Sequence, residues 1–412
     1  MNNKHSSIAI IGGGAAGFFT AINTARLNPS LSVTIFEKSR EVLSKVRISG
    51  GGRCNVTHNC FDAELLSKHY PRGEKTLRWS FEQFQARDTV EWFRERGVEL
   101  KAENDGRMFP VTDSSDTIIN CLIAEAKKYN VSIRTKTRIN QVEPLSDSGF
   151  RLHIHKSKAQ QFDKVVIATG GYNREDAYQW LKDLGHSIVS PVPSLFTFNF
   201  REKVLTELAG ISVERAEVQI KGTAYREVGP VLITHWGLSG PAVLKLSAWA
   251  ARDLHEMEYR YKAIVNWLYP ATEQEVRDQL LEMRSSNAKK QIAKQNRFSF
   301  PLRLWEKFTE LAGVDSKKRW ADLSNKEIHE LTQQLVRAVY DIQGKTTYKE
   351  EFVTCGGIPL TEVDPDTLES KKVKGLYLVG EVLDIDGVTG GFNFQAAWTN
   401  GWLAAYAISN ES

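Results

Sequence analysis

A glycine motif near the start of the chain constrains the fold more than any other feature. The run Ser7–Ile11 is apolar and rich in β-branched residues, which is typical of a buried parallel strand. Gly12, Gly14 and Gly17 follow at the spacing G-x-G-x-x-G, ahead of a segment of helical composition. The first glycine permits a tight turn, the second lets a pyrophosphate approach the backbone, and the third lets the helix pack closely on the strand. The sequence therefore predicts a strand–turn–helix unit that binds a dinucleotide at the helix N-terminus.

The segment after this helix carries an acidic residue at the expected distance. Residues 33–36 form a second apolar run that ends in Glu37, 20 residues after Gly17. A carboxylate at this place accepts hydrogen bonds from the ribose hydroxyls of the adenosine half. Binding of a 2′-phosphate would need an arginine at this place, so the glutamate argues against a 2′-phosphate. The alternative interpretation is a glycine-rich βα turn in another class of α/β protein.

Size and composition limit the remaining choices. With 412 residues and a mass of 46.5 kDa, the chain has room for two or three domains. The hydrophobic fraction (41%) and the charged fraction (25%) are ordinary for a globular protein. The net charge of +4 is small for this length, so charge alone does not predict a nucleic-acid partner.

Compartment and metal content follow from the N-terminus and the cysteines. The first residues run directly into the first strand, and no apolar stretch reaches the length of a membrane span, so neither a secretion signal nor a membrane association is predicted. Cys54, Cys60, Cys121 and Cys355 fit a reducing cytoplasm, and their spacing suggests neither zinc nor an iron–sulfur cluster. We expect a cytoplasmic protein without a bound metal, and the sequence leaves the oligomeric state open.

A second glycine cluster lies in the segment after Glu37. Residues 38–60 are too rich in glycine and polar residues for a regular element, and Gly50, Gly51 and Gly52 allow the backbone to lie flat against a ligand. Potential donors follow at Arg53, Asn55 and Thr57. The segment is therefore predicted to contact a ligand, with a flexible exposed loop as the alternative.

The chain then alternates between helical and extended patterns. Residues 61–100 have an amphipathic helical pattern, a second helix follows the cap candidates at 114–115, and residues 131–171 contain three strand signals. The last of these strands ends in Ala168, Thr169, Gly170 and Gly171, small residues that suit a chain passing close to a cofactor.

The middle of the chain divides into two patterns. Residues 195–268 are strand-like, whereas 271–340 are helical and contain two capping boxes, Thr272 with Glu275 and Ser324 with Glu327. The basic residues 317–319 are predicted to form a solvated helix face and not a nucleic-acid patch, because acidic residues flank them at 315 and 322.

The C-terminal part returns to an α/β pattern. Residues 375–379 are a buried strand that ends in Gly380 and Glu381, and a helix is predicted to begin near Gly391 and to run to residue 408. The N-terminus of such a helix could face the pyrimidine edge of a flavin and stabilise negative charge there. A strand–loop–helix that merely closes the sheet is the alternative, but it does not explain the glycines at 387, 390 and 391.

Several of these stretches together resemble a known family. IIGGGAAG, SGGGRCNVTH, VVIATGG and GLYLVGEVLDIDGVTGGFNFQAAWTNG are similar to the glutathione-reductase-like FAD superfamily. More closely, they resemble the bacterial flavoproteins that include aminoacetone-oxidase-like and bile-acid-reducing members, and GRMFP, HWGLSGPAVLKLS and TCGGIPLTEVDPDTLESK extend the resemblance nearly end to end. The family more often has alanine or glycine at Cys355, where an inert cysteine is expected in preference to a reactive thiol.

The resemblance implies bound FAD, with the pyrophosphate at the first glycines, the adenosine ribose at Glu37, and the flavin along residues 51–57 and 380–393. The predicted cofactor-binding residues are Gly12, Gly14, Ala15, Ala16, Gly17, Glu37, Lys38, Lys45, Gly51, Gly52, Arg53, Asn55, Thr57, Ile139, Ala168, Thr169, Gly170, Gly380, Glu381, Asp386, Gly391, Phe392 and Asn393.

The resemblance also implies an α/β fold in which a Rossmann-like FAD-binding domain of three layers (ββα) receives an inserted β-rich domain and a helical subdomain. We place the discontinuous FAD-binding domain at residues 1–190 and 345–412. The β-rich substrate or cap domain is placed at 191–270 and 336–344, and the helical insert at 271–335.

These features predict hydride transfer between FAD and a small organic substrate. Residues 100–340 contain no second G-x-G-x-x-G and the chain has no C-x-x-x-x-C pair, so a disulfide-reductase role is not expected. The leading hypothesis is a reductase with NADH or NADPH as a transient electron donor, and the alternative is an amine-type oxidase that uses O2. A non-enzymatic or RNA-associated FAD protein is a third, less favoured hypothesis, because the charges of 271–340 nearly balance.

Two residues are candidates for acting on the substrate. His235 lies in a glycine-bounded turn and could serve as the acid–base group, with a purely structural histidine as the alternative. Arg107 could clamp an acidic or carbonyl substrate, or could be an ordinary surface arginine.

Overall fold

The computed structural model describes residues 6–347 and 353–411. Its strands are β1 (Ser7–Ile11), β2 (Ser32–Phe36), β3 (Thr57–His58), β4 (Leu100–Ala102), β5 (Arg107–Pro110), β6 (Ser132–Arg134), β7 (Ile139–Pro144), β8 (Phe150–Ile154), β9 (Gln160–Phe162), β10 (Lys164–Ile167), β11 (Val189–Ser194), β12 (Thr197–Phe200), β13 (Ser212–Ile220), β14 (Arg226–Ile233), β15 (Gly237–Ser239), β16 (Arg260–Asn266), β17 (Ala338–Thr346), β18 (Val353–Gly357) and β19 (Leu376–Leu378).

The α-helices are α1 (Ala15–Leu27), α2 (Ser44–Gly52), α3 (Ala63–Ser67), α4 (Glu74–Gln83), α5 (Ala86–Arg94), α6 (Ser115–Lys128), α7 (Gln179–Lys182), α8 (Pro241–Trp249), α9 (Ala251–Glu256), α10 (Glu273–Ser286), α11 (Leu302–Leu311), α12 (Asn325–Val336) and α13 (Phe392–Asn410). The described residues form two compact units, one from 6–193 with 353–411 and the other from 194–347.

The first unit is built on a five-stranded parallel sheet in the order β19-β10-β1-β2-β6. Its central strand β1 pairs with β10 and β2, so that Ile10 lies between Val166 and Ile35. All three of these side chains are fully buried, as expected for a parallel sheet that is covered on both faces. The predicted strand at the N-terminus is therefore the centre of this unit.

Two further layers cover this sheet. α1 packs along α13, where Gly401 allows such a close approach that a Cβ atom there would lie 3.0 Å from the carbonyl oxygen of Ala16. The antiparallel sheet β7-β8-β9 packs on the parallel sheet through the ring of Phe162, which makes an edge contact of 5.6 Å with Phe36. Helices, parallel sheet and antiparallel sheet make the three layers of the Rossmann-like fold that the family resemblance implied.

The second unit contains a closed six-stranded antiparallel barrel in the order β12-β15-β14-β13-β16-β17. The helices α10, α11 and α12 share one continuous hydrophobic core with this barrel. Trp267, just after β16, shows the connection: its ring lies 5.7 Å from Phe308 of α11, and its Nε1 donates to Tyr340 Oη of β17 at 3.1 Å. Barrel and helices therefore stabilise each other.

Both predicted capping boxes are present. Thr272 accepts from the N–H of Glu275 at 3.3 Å, and the Glu275 carboxylate accepts from the N–H of Thr272 at 2.7 Å. Ser324 and Glu327 make the same reciprocal pair at the start of α12. Each pair satisfies backbone donors that a helix N-terminus otherwise leaves open.

Three local predictions are wrong. Part of residues 38–60 is regular, since α2 begins at Ser44 and departs from right-handed helical angles only at 49–52. Residues 241–249 form α8, in a stretch that the sequence indicated as extended, and Pro241 occupies its first turn, where a missing N–H costs nothing. Residues 317–319 lie in a turn and a β-bridge between α11 and α12, so they are not a helix face.

In the part of the chain that the structure describes, no helix is both long and apolar enough to cross a lipid bilayer. Within the same residues, no group of three or more His, Cys, Asp and Glu side chains is arranged to hold a metal ion.

Candidate functional site

The turn between β1 and α1 combines two very tight glycines with one open glycine. A Cβ atom at Gly12, where φ is +118°, would lie 2.2 Å from the carbonyl oxygen of Ala168, and one at Gly17 would lie 2.0 Å from that of Gly12. Gly14 differs, because a Cβ atom there would meet no described atom within 4 Å. Gly14 precedes the first turn of α1, which begins with Ala15 and Ala16. This open face is where a phosphate can approach the helix N-terminus.

Glu37 lies beside the same turn. One carboxylate oxygen accepts from the N–H of Gly13 at 2.8 Å, and the other accepts from the N–H and the hydroxyl of Ser39 at 2.8 and 2.7 Å. The neighbouring chain runs past it, since the N–H of Thr137 donates to the Glu37 carbonyl at 2.8 Å, two residues before Ile139 starts β7. Next to it, the Lys38 ammonium lies 5.9 Å from the ring of Tyr172. The carboxylate is thus held at the glycine turn by three donors.

The second glycine cluster ends α2 in left-handed backbone. Gly51 and Gly52 have φ of +69° and +85°, and a Cβ atom at either would meet no atom of the described chain within 4 Å. Gly50 is different, because its Cβ would lie 2.8 Å from the ring of Phe109. Cys54 follows, fully buried, and burial raises the pKa of its thiol to about 12. Two successive glycines therefore present bare backbone to an open space.

The start of α13 is held against residues 55–57, more than 330 positions away in sequence. The side-chain oxygen of Asn55 accepts from the N–H of Gly391 at 2.9 Å, and its amide nitrogen donates to the carbonyl of Thr57 at 3.0 Å. Thr57 Oγ1 donates to Gln395 at 2.6 Å, inside the first turn of α13. A Cβ atom at Gly391 would lie 2.5 Å from the Thr57 carbonyl oxygen, so only glycine fits.

The loop before α13 is fixed at both ends. The amide of Asn393 bonds to the N–H and the carbonyl of Gly387 at 2.8 and 2.9 Å, which closes the loop on itself. Tyr70 donates its hydroxyl to the Phe392 carbonyl at 2.6 Å, and Arg72 forms an ion pair with the fully buried Asp386. Burial raises the pKa of the Tyr70 hydroxyl well above its ordinary value, so it stays a donor.

Two histidines extend this support. The ring of Phe392 stacks on His69 at 4.2 Å and on His58 at 4.6 Å, and Nδ1 of His58 lies 3.0 Å from the Gly390 carbonyl oxygen. The sequence did not predict the supporting roles of Tyr70, Arg72, His58 and His69. No local signal marks Tyr70, Arg72, His58 or His69, because their partners lie over 300 positions away.

A third part of the site lies where β10 and β19 end. Glu381 accepts from Lys45 Nζ at 2.7 Å with one oxygen and from the N–H of Thr354 at 2.8 Å with the other. Gly170, with φ of +72°, faces this carboxylate, since its Cβ would lie 3.8 Å from Oε2. Gly380 packs on α1, where a Cβ would lie 3.0 Å from that of Ala16. Residues 168–170 and 380–381 thus meet the glycine turn at the carboxyl edge of the sheet, which is the ligand-binding edge of such folds.

Arg53 and Arg107 share a partner. Glu103 binds Arg53 Nη1 at 2.6 Å with one oxygen and Arg107 Nη2 at 2.9 Å with the other, while Arg107 Nε contacts Asp105 at 2.7 Å. The Arg53 guanidinium also lies 4.0 Å above the ring of Phe109. The hydrogen bond to Glu103 raises the pKa of Arg53. Two carboxylates already engage Arg107, and its role as a substrate clamp stays a prediction.

His235 belongs to the other unit. It is exposed in the turn between β14 and β15, next to the exposed Trp236. Thr234 Oγ1 fixes this turn by accepting from the N–H groups of Trp236 and Gly237 at 3.3 and 3.1 Å. The histidine is therefore presented on a rigid turn, and its catalytic role stays a prediction.

The residues of the first unit suit a dinucleotide that contains a flavin. Three glycines, Gly14, Gly51 and Gly52, leave open space at their Cα atoms, and the carboxylate of Glu37 lies beside the turn that contains Gly14. The fold and this site define a Rossmann-type dinucleotide-binding protein. The family described as HI0933-like protein Rossmann domain matches residues 6–407, and the chain belongs to it. It is a family of FAD-dependent oxidoreductases.

Two curated relatives match this chain over almost the whole of both sequences. The chain is 29% identical over 99% of its length to the whole of a ribosomal RNA dihydrouridine synthase from Haemophilus influenzae. It is also 29% identical over 98% of its length to 98% of a 3-dehydro-bile acid delta(4,6)-reductase from Clostridium scindens. The fold is similar to that of 3-ketosteroid delta1-dehydrogenase from Sterolibacterium denitrificans, with a TM-score of 0.53, 14% identity, and coverage of 99% of this chain and 100% of that one.

Proposed function

We propose that this protein is an FAD-dependent reductase that adds hydrogen across a carbon–carbon double bond conjugated to a carbonyl group. Two relatives support this reaction class. Making dihydrouridine saturates the double bond of a uracil ring beside its carbonyl, and a 3-dehydro-bile acid delta(4,6)-reductase saturates double bonds in line with a ketone. The substrates differ in size and shape, but the reacting group is the same.

The observation that carries the proposal is the fixed N-terminus of α13. Asn55, Thr57 and Tyr70 hold its first residues, so the N–H groups of this turn point in one direction before any ligand arrives. Free N–H groups and the helix dipole stabilise negative charge at such a place. Bound FAD supplies the hydride acceptor and donor of the reaction. We assign the start of α13, with Gly51 and Gly52, to its flavin end, Gly14 to its pyrophosphate and Glu37 to its adenosine ribose.

NADH or NADPH is proposed as the source of electrons. In the balanced reaction, the nicotinamide would lose a hydride, and the substrate would gain a hydride at its β-carbon and a proton at its α-carbon. The sequence has no second dinucleotide motif in 100–340, so the nicotinamide would dock transiently. An oxidase that passes electrons to O2 remains the competing hypothesis.

Anaerobic stopped-flow mixing tests the reductase. NADH or NADPH is expected to bleach the flavin absorption of the purified holoenzyme. A conjugated enone such as 2-cyclohexenone, added to the reduced enzyme without oxygen, is expected to restore the absorption. The matched control is the same protein mixed with cyclohexanone, which lacks the double bond. Failure of both nicotinamides to bleach the flavin, followed by bleaching with an amine, would replace this proposal with the oxidase.

A second candidate for the substrate is a uridine in RNA. The distribution of charge favours it: residues 194–347 contain 23 lysines and arginines against 19 acidic residues, so they carry the whole net charge of the chain. Anaerobic reduced enzyme mixed with a uridine-rich ribosomal RNA transcript is expected to regain its flavin absorption, and dihydrouridine is expected in the digested RNA. Reoxidation by the enone but not by the transcript would favour a small-molecule substrate.

A further inference from the structure

Within the second unit, positive charge is concentrated in one part of the sequence. Residues 283–305 contain six basic side chains and no acidic one. The segment leaves α10, passes through a short turn of 3-10 helix at Ile292–Lys294, and enters α11. The even balance of charge across 271–340 therefore conceals a basic stretch.

The fold adds a second basic segment to the first. The chain near 288–292 runs antiparallel to residues 318–321, with Gln291 and Arg319 opposite each other. The N–H of Ile292 donates to the Lys318 carbonyl, and the N–H of Trp320 donates to the Lys290 carbonyl, each at 3.0 Å. This isolated bridge brings together two backbone segments whose cations are almost thirty positions apart in sequence.

Five of these cations have no carboxylate partner within residues 6–347 and 353–411, and all five are exposed. They are Lys289, Lys290, Lys294, Lys317 and Arg319, and we refer to them as the basic surface. The neighbouring Lys318 and Arg297 are paired, with Glu327 at 2.7 Å and Glu282 at 3.0 Å.

The acidic residues on either side do not neutralise this surface. Asp315 turns one carboxylate oxygen to the backbone N–H of Lys317, at 2.7 Å. Asp322 is exposed at the start of the chain that leads to α12. The sequence predicted that these two residues would make 317–319 an ordinary solvated face. The structure instead leaves the exposed carboxylates of Asp315 and Asp322 beside five exposed cations, with which neither forms an ion pair among the described residues.

The basic surface rests on a rigid base. Trp305 of α11 and Trp320 are fully buried and stack with ring centres 6.4 Å apart, and Trp305 Nε1 donates to the Ile292 carbonyl at 2.8 Å. Ile292 is also fully buried. Anchored backbone under flexible cationic side chains suits repeated contacts with a charged polymer, because the side chains can adjust while their spacing is retained.

We propose that the basic surface binds the phosphate backbone of RNA. None of the exposed large apolar side chains of the described chain lies in residues 287–297 or 317–319, whereas an interfacial membrane site needs apolar groups to insert. Amide side chains, such as those of Gln291 and Gln295, stand among the cations and can bond to phosphate and sugar oxygens. This proposal rests on the proposed function, because a uracil base is one acceptor of that chemistry.

Salt-dependent binding of a labelled RNA tests the surface. The probe is a fluorescein-labelled oligouridylate of about twenty nucleotides, titrated with holoenzyme by fluorescence anisotropy. Five phosphate contacts predict a slope of log K against log salt of about −3.5, because each contact on a single strand contributes roughly −0.7. For the variant K289E/K290E/K294E, the slope is expected to be less negative by about 2. Its binding to the probe at low salt is expected to be at least about tenfold weaker.

The matched control is K75E/K127E/K158E, which changes three exposed lysines of the first unit and alters the net charge equally. It is expected to bind the probe nearly as wild type does. Equal weakening by both variants would overturn the proposal, since overall charge would then explain the binding. Unchanged RNA binding by K289E/K290E/K294E would also overturn it. The same holds if these lysines are needed for binding to phosphatidylglycerol vesicles but not for binding to RNA.

Two readouts separate this proposal from the proposed function. FAD content and circular dichroism show whether the variants are folded, and K289Q/K290Q/K294Q serves as a second, milder variant. Bleaching of the flavin by NADH or NADPH reports on the reductase and is expected to be unchanged in every variant. Loss of RNA binding with normal bleaching supports the surface, whereas normal RNA binding without bleaching counts against the reductase alone.

Discussion

Gly17 lies so close to Gly12 that a Cβ atom on the former would be 2.0 Å from the carbonyl oxygen of the latter. Gly14, midway between them, could carry a Cβ that meets no described atom within 4 Å. The glycines of one motif therefore serve different purposes. Two are required by the packing of the protein itself, and one leaves space for a ligand, which makes their substitutions separable by experiment.

Gly14→Val is expected to leave the protein folded and to remove its FAD. The backbone angles of Gly14, φ −91° and ψ −169°, are accessible to valine, but the side chain would occupy the open face at the helix N-terminus. Flavin absorbance per mole of protein measures occupancy, and the unfolding temperature of wild-type apoprotein is the reference for stability. A yellow Gly14→Val protein with full occupancy would show that the pyrophosphate lies elsewhere.

Gly17→Ala is expected to destabilise the fold itself. A methyl group 2.0 Å from a carbonyl oxygen forces α1 away from β1, and overpacking of this kind costs about 1–3 kcal/mol. Urea unfolding of the apoprotein measures the free energy of unfolding without a contribution from the cofactor. An unchanged unfolding midpoint would mean that the turn can relax, and that its glycine is not required for packing.

Asp386→Asn is expected to destabilise the loop that precedes α13. The substitution removes the charge that faces Arg72, whose side chain is only 12% exposed. Leaving one member of a buried ion pair without its partner costs about 3–5 kcal/mol. Thermal unfolding of the holoenzyme measures the loss, and Arg72→Met/Asp386→Leu is expected to recover part of it. The exposed pair Arg94 and Glu91 is the control, and Arg94→Ala should change the unfolding temperature very little.

The cysteines are expected to take no part in the reaction. Burial raises the pKa of the Cys54 thiol to about 12 and that of Cys121 to about 11, and Cys355 is fully buried. Because the thiolate is the reactive form, a disulfide reagent at pH 8 should modify the partly exposed Cys60 first, although burial raises its pKa as well. Cys60→Ser should remove this fast phase, and flavin reduction should continue after alkylation. Rapid modification of Cys355 in the native protein, with loss of flavin reduction, would contradict this prediction.

His235 and Arg107 are expected to affect different kinetic constants. If His235 protonates the substrate, His235→Asn should lower kcat for reduction of the enone and leave bleaching by the nicotinamide unchanged. If Arg107 binds the carbonyl, Arg107→Met should mainly raise KM. Trp236→Phe is the control for the exposed turn. Normal kcat in His235→Asn, with an intact solvent isotope effect, would leave the proton transfer to water or to another group.

Features that depend on neighbouring residues were predictable from the sequence. The β1 strand with its glycine turn, the capping boxes at Thr272 and Ser324, and the helix that begins after Gly391 are each encoded within a few positions. Helix capping and tight turns are local, so their signals survive without knowledge of the rest of the fold.

Features that depend on contacts between residues distant in sequence were not predictable. The support of α13 by Tyr70 and Arg72, and the pairing of Gln291 with Arg319, bring together residues whose own surroundings in sequence are unremarkable. The sequence indicates an extended segment where α8 forms, because the branched residues Val243 and Leu246 are buried against the barrel and the helix has no amphipathic pattern. Tertiary packing, not propensity, decides these places.

The pairing of β10 with β19 sets an order of events during synthesis of the chain. β10 is complete at residue 167, but the strand that covers its free edge is not made until residue 378, and α13 follows later still. At ribosomal rates of about 5–20 residues per second, the edge of β10 stays unpaired for roughly 10–40 s before β19 is made. On the proposed assignment of α13 to the flavin end, the cofactor is not retained until residues 392–410 have been made. A nascent chain stalled within the second unit would carry the glycine turn and Glu37 yet retain no flavin, and its uncovered edge would be the natural target for a chaperone.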